Sequence, residues 1–232
     1  MKKSIFTNKK LNKRNAGWEV QHDTNTVINR AIALCYVCPL AMALGTNDKD
    51  TEKHILSTIN NKRIKGIFTE KELEFIFGKR MEQDIFNFSW HYERLKVLLW
   101  ALGQKVSLDN WVEMVNIPEL IEIINASNFA HNSKLIKSKK IADYEQDANE
   151  AYWICLDARL NKRQISYYSQ KSISSEIVME RLIAVRWLYS SEETEWDYCS
   201  PDTYFPYERP KGSSDKIEKY FISDEIMDRL GK

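Results

Sequence analysis

Residues 88–103 place the tightest constraint on what this chain can fold into. The segment reads FSWHYERLKVLLWALG, which is apolar on almost every side of a helix and yet contains Glu93. A helix of this kind is typical of the centre of a fold, because apolar groups on all faces must be covered by neighbours. Ser89 is a suitable N-cap, and Gly103 is the residue type that most easily adopts the left-handed conformation at a helix end. We therefore predict a buried central helix over residues 88–103.

The composition favours helices over strands. The chain has 7 glycines and 5 prolines in 232 residues, which argues against a turn-rich sandwich or barrel and for long helices with short connections. Hydrophobic residues make up 43% of the chain, enough for one sizeable core. We predict an all-α fold, a single globular domain built as a multi-helix bundle around the central helix.

We expect the domain to occupy residues 18–205. Residues 1–17 contain several lysines and an arginine but no acidic residue, which is typical of a flexible basic tail. Residues 206–232 form a C-terminal extension in which we predict one short helix near 223–230. The sequence does not show whether this extension packs on the domain, nor does it give the oligomeric state.

Two more long helices are indicated by apolar periodicity. Apolar residues recur every three or four positions over residues 141–163, and the small ones suit close packing against a bulky neighbour, for which we expect the central helix. A similar stripe predicts a helix over residues 175–189.

Local signals predict several helix boundaries. A helix from Thr24 should kink or end at Pro39, because proline cannot donate a backbone hydrogen bond. Thr69 and Glu72 have the spacing of a capping box. Ser107 is a suitable N-cap for a further helix, which would hold Trp111, Val112 and Val115.

Charge and cysteine content bear on the compartment and the partner. The 34 basic and 33 acidic residues leave a net charge of +1, so there is no global field to attract nucleic acid. Four sparse cysteines and the absence of a secretory signal pattern favour a reduced, cytoplasmic protein. The longest apolar run, over residues 31–44, is shorter than a bilayer requires, so we expect a core helix and no membrane insertion.

No complete catalytic or cofactor motif is present. Cys35 and Cys38 form a CxxC pair, but they lack the strand context of a redox motif and the further ligands of a zinc site. We interpret them as small apolar residues within a helix. The nucleotide-binding, hydrolase and zinc-protease motifs do not occur. We therefore predict neither a metal nor a cofactor, and the sequence identifies no catalytic residue.

Charged residues on apolar helix faces are the best functional lead, because a buried charge needs a partner. One interpretation is an ion network that sets the register of the helices; the other is a cleft that grips a polar ligand or assists proton transfer. His91 would lie in the first turn of the central helix, which disfavours its protonation; it is either a core histidine or a catalytic base. The candidate polar cluster consists of Trp90, His91, Glu93, Asp157, Arg159, Glu180 and Arg181.

Four blocks in this order resemble a bacterial family named domain of unknown function 4272. The blocks are Trp90-x-Tyr92-Glu93 with LLWALG at 98–103, DARLN at 157–161, Glu180-Arg181 with Ala184 and Trp187-Leu188, and Trp196-Asp197 with Asp202-Thr203. The resemblance covers about residues 24–203. It implies a helical domain and a bacterial origin, but no established activity, cofactor or catalytic residue. The family pattern has a basic residue where this chain has His91, which weakens a catalytic role for this histidine.

The leading hypothesis is a cytosolic protein-binding or accessory module, including an immunity-type partner in bacterial conflict. It rests on the missing catalytic motifs and the many aromatic residues. The alternative is an enzyme or small-ligand binder that uses a charged cleft around Glu93, Asp157, Arg159, Glu180 and Arg181. Nucleic-acid binding through the basic N-terminus and residues 134–140 ranks last, because the overall charge is nearly neutral.

Overall fold

The computed structural model describes residues 19–62, 64–161, 173–190 and 196–201, and these residues form helices and loops without a strand. The all-α class predicted from composition is therefore confirmed. Single 3₁₀ turns occur at Lys65–Ile67 and Trp196–Tyr198. The helices are α1 (Thr24–Gly45), α2 (Lys49–Lys62), α3 (Glu70–Phe77), α4 (Glu82–Ala101), α5 (Ile117–Asn125), α6 (Phe129–Asn132), α7 (Ser138–Leu160) and α8 (Ser175–Tyr189).

Helix α4 is the centre of the bundle, as predicted. It packs against α1 and α8, while α2 packs against α1 and α7 packs against α8. The five long helices thus follow the order α2, α1, α4, α8, α7 across the molecule. Leu95, Leu98 and Leu99 of α4 are fully buried.

The predicted start of the central helix is wrong. Helix α4 begins at Glu82, and the Met81 amide donates to the Asp84 carboxylate at 3.3 Å. Ser89 lies within the helix, where its hydroxyl donates to the carbonyl of Phe86 at 2.6 Å. The sequence feature that marks this start is Asp84 in the first turn. Its carboxylate accepts from an amide that would otherwise be unpaired, and its negative charge is favourable near a helix N-terminus.

The predicted end of the central helix is correct. Gly103 has φ +76°, the left-handed conformation, and its amide donates to the carbonyl of Trp100 at 3.0 Å. The next amide, of Gln104, donates to the carbonyl of Leu99 at 3.0 Å. These two bonds are those of a Schellman motif, which satisfies carbonyls at the end of the helix.

The helix predicted after Ser107 does not form. Residues 104–116 are an irregular loop, and the Ser107 hydroxyl accepts from the Asp109 amide at 3.2 Å instead of capping a helix. Trp111 and Val115 are nevertheless buried, as their apolar character indicated, whereas Val112 is only partly covered. Polar groups of this loop bond to side chains of α4 and α8, which explains why the loop is not helical.

Helix α1 neither ends nor breaks at Pro39; it continues to Gly45. Packing against α2 and α4 offsets the lost hydrogen bond, which costs roughly 3 kcal/mol in an isolated helix. By length and composition α1 could also cross a membrane, but core helices of soluble proteins meet the same criterion. In this fold most of its apolar stretch is buried, in agreement with the prediction of a core helix.

Helix α7 has the predicted periodic face, but its main neighbour differs from the predicted one. The six periodic residues at 141, 144, 148, 151, 155 and 158 are all buried. They pack chiefly against α8, not against α4. Helix α7 meets α4 at the ring contact between Trp100 and Tyr144, whose centroids are 5.1 Å apart. Helix α8 has the predicted bounds.

The capping box of Thr69 and Glu72 is confirmed at the start of α3. The predicted basic tail (1–17) and the C-terminal extension (206–232) lie outside the described residues, so the domain boundaries stay predictions.

Candidate functional site

The first charge pair of the α4–α8 interface joins Glu93 and Arg181. Both side chains are almost completely buried. The Nε atom of Arg181 donates to Oε2 of Glu93 at 2.8 Å, and Nη2 lies 2.7 Å from the same oxygen. The guanidinium also lies over the ring of Trp111, 5.2 Å from its centroid. This pair links the two helices in the interior of the bundle.

The same pair binds the loop over residues 104–116. The other carboxylate oxygen of Glu93 accepts from the amide of Val115 at 2.8 Å. Nη1 of Arg181 donates to two carbonyls of the loop, those of Asn110 at 2.7 Å and Leu108 at 3.2 Å. The two side chains therefore bond to each other and to backbone N–H and C=O groups of the buried loop.

The second pair joins Glu180 of α8 to Arg94 of α4, a residue that sequence reasoning missed. Nε of Arg94 donates to one carboxylate oxygen of Glu180, and Nη2 donates to the other at 3.3 Å. The guanidinium of Arg94 lies over the ring of Trp196, 5.5 Å from the centroid. Glu180 is therefore engaged in a two-point contact of the kind that orients arginine and carboxylate firmly.

His91 lies beside this second pair. Its Nε2 atom is 3.9 Å from Glu180, and its ring is edge-on to Phe88. Burial, and then the charges of Arg94 and Arg30, hold the pKa of His91 well below its ordinary value. The expectation that it resists protonation is supported, but the proposed cause is wrong, because His91 lies in the middle of α4 and not in its first turn.

The other three candidates do not join this interface. Asp157 lies near the end of α7, where it accepts from the side-chain amide of Asn161 at 2.9 Å. Arg159 is exposed. Trp90 is half-buried on α4, with its ring centroid 6.3 Å from that of Phe86. The interface between α4 and α8 therefore brings together four of the seven predicted residues.

Two more buried pairs were not predicted. Arg30 of α1 donates to Glu72 of α3 at 2.5 Å, the same carboxylate that closes the capping box. Arg186 of α8 donates to Glu145 of α7 at 3.1 Å and to Asn149 at 2.7 Å. Both pairs have a signal in the sequence: an arginine on a helix that is apolar all round is expected to be buried, and a buried arginine needs an acidic partner.

We consider two clefts on the described part of the surface, and neither is lined by any of the seven candidates. The first, which we name the α1–α4 groove, has a volume of about 570 Å³ and is mostly apolar. Three large apolar side chains in it are exposed, Met42 to 40%, Phe86 to 56% and Met114 to 60%. Its lining residues are Ala41, Met42, Leu44, Gly45, Thr46, Glu82, Ile85, Phe86, Ser89, Met114 and Ile117.

The second cleft, which we name the Trp196 cleft, has a volume of about 430 Å³ and a polar lining. It lies at the start of α1, beside the 3₁₀ turn at Lys65–Ile67 and one edge of α8. A stacked pair of rings, His22 on Trp187 with centroids 4.0 Å apart, forms part of its wall. Its lining residues are His22, Asp23, Thr26, Asn29, Arg30, Gly66, Ile67, Trp187 and Trp196.

Within the described ranges, no group of three histidine, cysteine or carboxylate side chains has the arrangement of a metal site. Cys35 and Cys38 both lie on α1, as the helical interpretation of the CxxC pair requires. Burial raises the pKa of the Cys35 thiol to about 11 and also raises that of Cys38. Both thiols are therefore protonated at neutral pH and poorly suited to nucleophilic chemistry.

Comparison with functionally curated proteins and with solved structures returned no match. The sequence profile of one family, described as a domain of unknown function (DUF4272), matches residues 10–199. The matched region contains the eight helices of the described residues, both of these clefts and the buried charge pairs described above. The chain therefore belongs to the DUF4272 family.

Proposed function

We propose that this protein is a protein-binding module and that its α1–α4 groove takes an amphipathic helix of another protein. The observation that supports the proposal is the exposure of Met42, Phe86 and Met114 around one apolar groove. Scattered exposed apolar side chains are normal on a protein surface, but a contiguous groove of them is typical of an interaction site. Methionine side chains adapt to different partners, and a helix laid in such a groove buries them.

The charged residue in the groove indicates which residues the partner helix should carry. Among the described residues that line the groove, Glu82 is the one that is charged. A partner helix should therefore carry apolar residues at spacings of three and four for the groove, and a lysine or arginine that faces Glu82.

The buried charges also favour binding over catalysis. Glu93, Arg181, Glu180 and Arg94 bond to one another and to the backbone, so they are not presented to a substrate in either cleft. As part of the same proposal, we place the module in the bacterial cytosol as an accessory or immunity-type partner. The small number of cysteines, four in 232 residues, suits a reducing compartment.

Site-specific photo-cross-linking in the source cells tests the proposal. A photoreactive phenylalanine analogue replaces Phe86 in the groove, and in a matched control it replaces Leu160, which is 71% exposed at the far end of α7. We expect a discrete cross-linked protein from position 86 that position 160 does not give. Mass spectrometry of the cross-linked peptide should place it in an amphipathic helix with a basic residue.

A binding measurement with the captured partner then separates recognition from stability. Phe86→Glu puts a charge into the apolar groove and should weaken binding by tenfold or more, about 1.4 kcal/mol, while the melting temperature stays within a few degrees. Leu160→Glu should change neither quantity. The proposal is wrong if position 86 gives no specific cross-link, or if Phe86→Glu binds the captured partner with unchanged affinity.

A further inference from the structure

The C-terminal extension contains a segment with two faces of opposite character. The helix predicted over residues 223–230 lies outside the described residues, so its character is read from the sequence. With about 100° of rotation per residue, an α-helix over this segment has its apolar side chains on one side and its acidic side chains on the other. The apolar set is Ile222, Ile226, Met227 and Leu230, and the acidic set is Asp224, Glu225 and Asp228. The segment therefore has an apolar face that needs a cover.

Helix signals stand at both ends of this segment. Ser223 is a suitable N-cap, and Ile222 and Met227 have the spacing of a hydrophobic staple around it. Gly231 follows the last apolar residue, at the position where glycine commonly ends a helix. A helix this short is not stable alone in water. We therefore expect it to form only against an apolar surface.

The α1–α4 groove is an apolar surface of matching character. Met42, Phe86 and Met114 are exposed there and have no cover among the described residues. Glu82, the charged residue of the lining, is exposed at the start of α4. Arg229 lies at one edge of the apolar face of the segment, where a contact with the rim of a groove is expected. The segment thus has the two features that the groove requires of a partner helix, an apolar stripe and a basic residue.

The chain that precedes this segment is long enough to reach the groove. The ring centroid of Trp196 lies 5.3 Å from the guanidinium of Arg30 on α1. On the same helix, the groove is lined from Ala41 to Gly45, about 17 to 23 Å further along the axis. The 20 residues over 202–221 can span up to about 66 Å. This length allows a path over the surface to the groove of the same molecule.

We propose that residues 222–230 dock as a helix in the α1–α4 groove of their own molecule and that a partner helix must displace them. The inference rests on the proposed function, because it assigns the regulation of the same groove. A tethered segment acts at an effective concentration in roughly the millimolar range, so even a weak contact keeps the groove covered. The segment thus excludes partner helices that bind more weakly than it does.

Photo-cross-linking of the purified full chain, with no other protein present, tests the inference. The photoreactive phenylalanine analogue replaces Phe86, and in the matched control it replaces the exposed Leu160. We expect a product of monomer mass in which position 86 is joined to a peptide within residues 222–230. Position 160 should give no link to that peptide.

Two neighbouring substitutions on opposite faces of the segment show whether its apolar face makes the contact. Ile226→Gln should lower the yield of this cross-link about fivefold or more, because a polar amide in an apolar groove is unfavourable. Glu225→Gln changes the acidic face and should leave the yield within about twofold of that without it. In a sample with ¹³C-labelled methionine methyl groups, Ile226→Gln should also move the signals of Met42 and Met114, whereas Glu225→Gln should not.

The inference is overturned if the purified chain gives no cross-link to residues 222–230, or if Ile226→Gln and Glu225→Gln give equal yields. A product of dimer mass also overturns it, because the segment of a second copy then occupies the groove. In each of these cases, a partner captured in cells at position 86 still supports the proposed function. Conversely, a link within one molecule but no captured partner supports this inference and counts against the proposed function.

Discussion

Arg181 is fully buried, and three other arginines of the described chain, Arg30, Arg94 and Arg186, are nearly so. Each of the four bonds to an acidic side chain on a different helix. Arginine suits such positions better than lysine, because its planar guanidinium donates in several fixed directions and also stacks on aromatic rings. Removal of one partner leaves an uncompensated charge in the interior, so these residues constrain how the helices fit together.

His91 should make stability depend on pH. Because its pKa is lower in the folded protein than in the unfolded chain, the unfolded state binds a proton that the folded state does not as pH falls below about 6.5. Stability should therefore fall with decreasing pH in that window, with a limiting contribution of about 1.4 kcal/mol per pH unit. The charged groups around the ring are Arg94 on its own helix, Arg30 on α1 and Glu180 on α8.

Urea unfolding at several pH values between about 5 and 7 measures this slope. His91→Gln removes the titrating group and should flatten the curve, whereas the exposed His54→Gln should leave it unchanged. Equal slopes for wild type and His91→Gln would show that another group is responsible.

Glu93, Glu180 and Arg181 can be predicted from the sequence because they interrupt otherwise apolar helix faces. Arg30 was not among the predicted residues, although it lies within the apolar stripe of α1. Nor does a charge on one helix reveal which residue is its partner. Glu72 lies 42 positions further along the chain and was already explained by the capping box. Pairing of buried charges depends on how the helices pack, which periodicity alone does not give.

At the scale of elements, local signals and tertiary contacts compete in the loop over residues 104–116. A hydroxyl followed by apolar residues indicated a helix there, but Glu93 and Arg181 bond to the backbone of Leu108, Asn110 and Val115 in an irregular conformation. Buried hydrogen bonds to charged groups outweigh the small differences in helix propensity. Helix α8, whose contacts agree with its apolar periodicity, has the bounds that the sequence predicted.

Gly103 should tolerate substitution poorly at the end of α4. Its φ of +76° disfavours any side chain, and a Cβ atom would lie 3.1 Å from the carbonyl oxygen of Lys134. Gly103→Ala should lower the free energy of unfolding by about 1–2 kcal/mol, as measured by urea denaturation. Gly66 is the control: no atom lies within 4 Å of a Cβ built there, so Gly66→Ala should change stability by no more than about 0.5 kcal/mol. An equal effect at both positions would contradict this account of the helix end.

At the scale of the molecule, α1 contributes to two apolar clusters. Val27, Ala31 and Leu34 pack in the cluster that includes α4, α7 and α8. Val37 and Leu40 pack in a second cluster with α2 and α3. Because α1 is covered on both sides, it is apolar enough to resemble a membrane span while it serves as a core helix. The sequence predicted that α1 is buried, but not that it contributes to two separate apolar clusters.

The two clefts could not be found from the sequence for a geometric reason. Met42, Phe86 and Met114 come from three separate elements, and each is an ordinary apolar residue in its own segment. The Trp196 cleft likewise combines the start of α1 with the end of α8 and a 3₁₀ turn. By contrast, the all-α class, the central position of α4 and the family were all accessible from apolar patterns and ordered blocks.

We expect the buried charges on the apolar faces of α4 and α8 to hold the fold together. A double-mutant cycle on Glu93 and Arg181, followed by urea unfolding, tests this expectation. Lys139 and Asp143, an exposed pair 3.3 Å apart on α7, provide the matched control cycle. That control should return a coupling energy below about 0.5 kcal/mol.

We predict that Glu93→Gln or Arg181→Met alone lowers the free energy of unfolding by about 3–5 kcal/mol, because each leaves a buried group without its partner. The double variant should cost less than the sum of the two by about 1–3 kcal/mol. Single variants that retain wild-type stability, with strictly additive effects, would contradict the claim and return Glu93 to the status of a candidate functional residue.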